Sequence, residues 1–194
     1  MSRLFDTIVM VDWSATASPT SATNQENAIW WRVARDGAVE PPEHARTRHD
    51  AMERLKALLL AEVEAGRRTL AGFDFPFGWP AGVAETVTGR AEALALWQWL
   101  AEEVRDGRDN SNNRFEVAER MNGFFPGIGP FWGKTDADRW PGVPYGAKER
   151  TPRERPRDRR LQEGRALGLL LLPARLHGIG RLAGPARRRR PRAA

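Results

Sequence analysis

The amino-acid sequence predicts an α/β fold on a mixed sheet: three antiparallel strands, a helix, a fourth strand, and further helices behind it. Three observations carry this reading. Two short apolar runs, 6–12 (DTIVMVD) and 69–75 (TLAGFDF), each end at or near a carboxylate, as buried strands do where they meet a sheet edge. Asp36-Gly37 follows a second strand-like run and is a strong hairpin signal. A helical pattern then separates the hairpin from the second apolar run.

The first strand covers 6–12 and ends at Asp12, and a Ser/Thr/Ala-rich loop follows (WSATASPTSATNQE). Residues 27–35 (NAIWWRVAR) form the second strand. A third lies within 38–47, broken or delayed by Pro41-Pro42, because proline has no N–H for the ladder. Asp50 is read as the cap of a helix whose apolar face is Leu55, Leu58, Leu59, Ala61 and Val63 and which Gly66 stops. The fourth strand, 69–75, runs into PFGWPAG, a rigid turn that permits no helix before about residue 81. Helices are predicted over 81–88, 91–105 and 114–122, the last introduced by the capping run Asn110–Asn113. Gly- and Pro-punctuated loops follow.

Charge divides the 194 residues unequally. All 17 aromatic residues lie at or before Tyr145. From Gly146 onward there are 14 Arg and one Lys against four acids, a net +11, so the first 145 residues carry −5. The whole-chain charge of +6 therefore describes the tail, and the acidic body has no built-in attraction for phosphate backbones. The division expected is a domain over 1–148 and an Arg/Pro-rich basic tail over 149–194, disordered by composition. The tail's vocabulary is also what an out-of-frame read of GC-rich coding DNA yields. Absence of cysteine removes disulfides, thiolate metal sites and cysteine nucleophiles, and fits a reducing compartment such as the cytoplasm. The apolar runs Ile8–Val11 and Leu169–Leu172 are far short of the ~20 residues of a membrane span, so no membrane association is expected.

Asp12 and Asp74 are the candidate catalytic residues. If their strands pair, both carboxylates emerge at one sheet edge, where they repel and favour either a raised pKa or a shared divalent cation. Mg²⁺ or Mn²⁺ on these two groups, with water and a substrate phosphate, makes a phosphoryl-transfer site. The alternative is that each aspartate caps a turn. Arg114, at a helix start, can hold a phosphate with free backbone N–H groups; a salt bridge to Glu116 or Glu119 is the competing role. Trp13, Trp30, Trp79 and Trp132 can line a cleft and stack bases, with apolar packing as the default. His44, His49 and His177 show no metal-ligand spacing.

The motifs VDWSA, GFDFPFGWPAG, NNRFEVAERMN and GPFWG resemble a bacterial family of uncharacterised predicted nucleases with the RNase H-like fold, over roughly residues 4–148. Some lookalikes are labelled molybdopterin guanine dinucleotide synthesis or cobalamin biosynthesis proteins. Asp12-Trp13-Ser14-Ala15 is not the glycine-rich opening such a nucleotidyltransferase needs. The resemblance implies a metal-dependent nuclease acting on nucleic acid or a phosphorylated small molecule, with Asp12 and Asp74 as ligands beside Pro76 and Gly78, and Arg114 and Arg120 on the family's Arg-bearing helix. It also implies a further acid where Glu53 stands, although a surface ion pair is the better reading of that residue. Members continue through further strands to a late acid where this chain has only the basic tail, so the resemblance implies a domain incomplete at its C-terminus. Kinases of the broader RNase H-like architecture place phosphate-binding hydroxyls where Ser14 lies, but this loop has no glycine. A phosphotransferase, and a truncated non-catalytic member whose tail binds polyanions weakly, are the alternative functions.

Overall fold

β1 (Thr7–Asp12) alternates strictly, with Thr7, Val9 and Val11 buried and Ile8, Met10 and Asp12 turned to the other side. The computed structural model describes residues 3–74, 78–127, 129–133 and 139–144. The expectations for Phe75, Pro76 and the tail 149–194 lie outside them. β2 (Ile29–Arg35) pairs antiparallel with β1, Asp12 opposite Trp30 and Met10 opposite Arg32. Asp36 and Gly37 both have positive φ, 50° and 89°, which gives the turn a twist matching the strands it joins.

The predicted third strand is divided in two. Pro41-Pro42 separates β3 (Ala38–Val39) from β4 (Glu43–Ala45), and each pairs with a different stretch of β2. α1 (Arg48–Glu64) begins earlier than the sequence reading placed it. Thr47 is its cap, accepting the Asp50 backbone N–H at 3.2 Å, and Asp50 sits in the first turn, where its charge suits the helix dipole. β5 (Thr69–Phe73) then lies parallel to β1 on the side away from β2. The product is a mixed five-stranded sheet of order β3-β2-β1-β5, with β4 also on β2.

Only one sheet face is covered by α1. Val9, Val11, Ile29, Trp31 and Val33 pack with Ala51 and Leu55 into one core. The opposite face carries Ile8, Met10, Val39 and Leu70, between 39% and 61% exposed. At the sheet's far end Glu62 of α1 is completely buried. It accepts from Thr7 Oγ1 at 2.5 Å, Arg35 Nε at 2.8 Å, and Arg67 Nε and Nη2 at 2.5 and 3.0 Å. These donors hold its carboxyl down at about 2, with Arg67 the largest contributor.

A second core forms from α2 (Val83–Thr88), α3 (Ala93–Glu103) and α4 (Arg114–Asn122), with Phe131 and Val143 from the loops fully buried among them. Trp79 and Trp97 pack against this core. The two layers are joined by Arg48, 1% exposed, the first residue of α1. It pairs bidentately with Asp106 at 2.6 and 2.7 Å and donates to the carbonyls of Thr16 and Asn110. Asn110, read from sequence as a cap, is instead a buried cross-link at φ 68°, accepting from Arg48 N and donating to Ser18 O. Among the described residues no helix is long and apolar enough to cross a membrane.

Candidate functional site

The parallel register of β1 and β5 matches Val11 with Phe73, so the next residue on each strand is an aspartate: Asp12 beside Asp74. Two backbone bonds extend the match past the strand ends. Asp74 N donates to Val11 O at 3.2 Å, and Trp13 N donates to Asp74 Oδ1 at 2.9 Å. The second bond fixes one Asp74 oxygen in place with a group that carries no side-chain freedom. An edge contact between the rings of Trp13 and Phe73, 6.3 Å between centroids, packs the two chain segments beneath it.

The Asp12 carboxyl titrates above the ordinary aspartate range. Desolvation is the first cause even though the side chain remains accessible, because the surrounding strand ends displace part of its hydration. Its hydrogen-bonding contact with the Asp74 carboxylate and the repulsion of that charge add to the effect. A like-charged pair held this way favours either a retained proton or a cation between the two groups.

Both aspartates line a cleft of about 380 Å³ with Met10, Val11, Trp30, Trp31, Arg32 and Pro42. Strand alternation explains this assembly, since Met10 and Asp12 of β1 face the same way as Trp30 and Arg32 of β2 across the antiparallel register. Met10 lies over Gly72 of β5; a β-carbon there would stand 2.8 Å from the Met10 sulfur. Arg32 Nε donates to Glu40 O at 3.0 Å, and its terminal nitrogens have no hydrogen-bond partner among the described residues.

Ser14 and Arg114 lie together but outside the lining of this cleft. Arg114 Nη1 donates to Ala15 O at 2.6 Å, adjoining Ser14, whose hydroxyl is 3.4 Å from that of Thr16. Burial and the nearby Arg48 charge lower the Arg114 pKa. With Arg48 on Thr16 O, the two arginines grip consecutive carbonyls of the loop that leaves Asp12. Arg120 pairs with Glu103 at 2.5 Å, and Glu53 is exposed on α1.

Fit to a divalent cation rests on the donor set. Two adjacent carboxylates suit Mg²⁺ or Mn²⁺, which keep several waters and are commonly held by one or two carboxylates plus substrate phosphate. No group of three or more His, Cys, Asp or Glu side chains able to hold a metal occurs among the described residues. A cation held there would have these two carboxylates as its protein ligands among the described residues. Compared with protein-family models, with curated proteins and with solved structures, the chain has no match.

Proposed function

We propose that the protein is a metal-dependent phosphodiesterase or nuclease of RNase H-like architecture, with Asp12 and Asp74 holding Mg²⁺ or Mn²⁺. The observation that carries this reading is the placement of the two carboxylates in register at the C-terminal ends of adjacent parallel strands, lining one cleft. The strand order β3-β2-β1-β5, an antiparallel hairpin followed through α1 by a parallel strand, supports the architecture.

Asp74 is the fixed ligand, oriented by the Trp13 N–H. Asp12, whose carboxyl is raised first by desolvation and then by Asp74, is the ligand whose ionised form a cation would favour. When bound, the cation supplies charge neutralisation at the phosphate and acidifies a coordinated water. Arg32, on the cleft wall, gives a second cationic contact to the phosphate. Arg48 and Arg114 act further back, holding the loop after Asp12 through Thr16 O and Ala15 O.

The test is Mn²⁺ binding by electron paramagnetic resonance, together with hydrolysis of labelled DNA, RNA and a chromogenic phosphodiester in Mg²⁺ or Mn²⁺. Asp12→Asn and Asp74→Asn should each abolish Mn²⁺ binding and lower hydrolysis at least 100-fold. Activity surviving in Asp12→Asn refutes the ligand role. Absence of Mn²⁺ binding in the unmodified protein leaves a non-catalytic chain as the surviving interpretation.

A further inference from the structure

We propose that the cleft beside the carboxylates is a nucleobase subsite, so that the substrate is a phosphate ester carrying a purine or pyrimidine. This rests on the phosphodiesterase reading for the phosphate end alone; the base end stands on its own observations. The first is the wall. Trp30 lines the cleft directly across the β1–β2 register from Asp12, one strand spacing from the metal pair. Its indole is held from two directions: Nε1 donates to Gln25 O at 3.2 Å, and the His44 ring lies 4.6 Å away, tilted 34°. An aromatic plate fixed before the ligand arrives loses little entropy on stacking.

The second observation is the chemistry of the remaining lining. Met10 and Pro42 are apolar, and the Met10 thioether is a polarisable surface that adapts to a flat ring. The volume of about 380 Å³ sits at the low end of the ~300–1,000 Å³ range of small-molecule sites, room for one ring system and its immediate attachment. The third is charge. Apart from Asp12, Asp74 and Arg32 the lining is uncharged and largely apolar or aromatic, so a planar uncharged group is what the rest of the wall can attract by itself. Base and phosphate therefore divide the cleft, the ring on Trp30 and Met10 and the phosphate toward Asp12 and Asp74. Both a free nucleotide and a single strand of nucleic acid carry this chemistry.

The experiment titrates the full chain calorimetrically with AMP, ribose 5-phosphate, adenosine and an adenine dinucleotide, with and without Mn²⁺, and measures Mn²⁺ binding alone by electron paramagnetic resonance. AMP should bind on the order of 10- to 100-fold more tightly than ribose 5-phosphate, the scale of one base stacked on an aromatic side chain. Trp30→Leu should erase that preference and Trp30→Phe should keep most of it, both checked by circular dichroism. Met10→Glu, at a position already 55% exposed, puts a carboxylate against the base and should erase the preference independently of Trp30. Equal affinity for AMP and ribose 5-phosphate overturns the proposal, as does a preference that survives both Trp30→Leu and Met10→Glu. Adenosine bound in a Trp30-dependent way by a protein that takes no Mn²⁺ sustains the base subsite while the phosphodiesterase reading falls. Mn²⁺ bound without any base preference does the reverse. A dinucleotide bound more tightly than AMP assigns the subsite to a polynucleotide; equal binding assigns it to a mononucleotide.

Discussion

Glu62→Gln isolates the buried ionic cluster at the far end of the sheet. The carboxylate is completely buried and takes four hydrogen bonds, from Thr7, Arg35 and, twice, Arg67. Its carboxyl is lowered from 4.5 to about 2. At 1.36 kcal/mol per pKa unit, the difference corresponds to about 3 kcal/mol of folding stability at neutral pH. A folded-state pKa below the unfolded value means that this contribution is complete above about pH 4.5 and declines as pH falls toward 2. Glutamine keeps the shape but turns an N–H₂ group toward guanidinium donors and removes the charge that the two arginines pair with. Loss of about 3 kcal/mol should lower the thermal midpoint by about 6–12 °C in a chain of this length. The assay is urea unfolding by circular dichroism for the original protein and the variant between pH 7 and pH 3. Carboxylates common to both proteins cancel in the difference. The gap should be widest at pH 7 and narrow steadily below pH 4.5. A gap that does not change with pH, or no gap at pH 7, refutes the argument.

Arg48→Met leaves the Asp106 carboxylate and the Thr16 carbonyl without the donors Arg48 gives them, and should cost about 3–5 kcal/mol in urea unfolding. Arg48→Lys recovers only part of that, because an ammonium cannot reproduce the bidentate fork. Asp12→Asn should raise the thermal midpoint at pH 7, since the ionised Asp12 is disfavoured by desolvation and by Asp74 in the folded state. That advantage should shrink as pH falls through the raised Asp12 value, in a scanning fluorimetry series. Gly72→Ala places a methyl group 2.8 Å from the Met10 sulfur. The flexible thioether should swing into the cleft, changing stability by less than about 1.5 kcal/mol while weakening AMP binding in calorimetry.

Features encoded locally were legible in the sequence, and those made by distant parts of the chain were not. β1 and β5 were visible as apolar runs ending in an acid, and α4 was read with both of its boundaries at 114 and 122. The division of the third strand followed from Pro41-Pro42, which also explains why a single strand was an incomplete description. The α1 cap was misassigned because Thr47 and Asp50 are both good capping residues, and only backbone geometry shows that Thr47 holds the extended φ, ψ that a cap requires. Juxtaposition of Asp12 and Asp74 was expected on the condition that their strands pair, a condition the β1–β5 register meets. Arg32 went unnoticed: which face it shares depends on the β1–β2 register, and a shift of one residue would have put it on the other side. Arg48 and Asn110 were unreadable for another reason. Their partners lie about sixty residues away, and a buried arginine looks like any surface arginine until the loops that enclose it are placed.

The split of β3 from β4 has a bearing on how the sheet can meet other chains. A strand is propagated by an unbroken row of N–H and C=O groups along an edge. On the β2 side that row is cut into pieces of two and three residues by a pair of imino acids with no N–H between them. A foreign strand arriving there finds no continuous template. β5, five residues long and without proline, has no such interruption, and among the described residues no strand pairs with its outer side. Among the described residues the sheet is thus blunt at one margin and continuous at the other, next to the carboxylates. Any segment that lengthened it past β5 would settle beside Asp74.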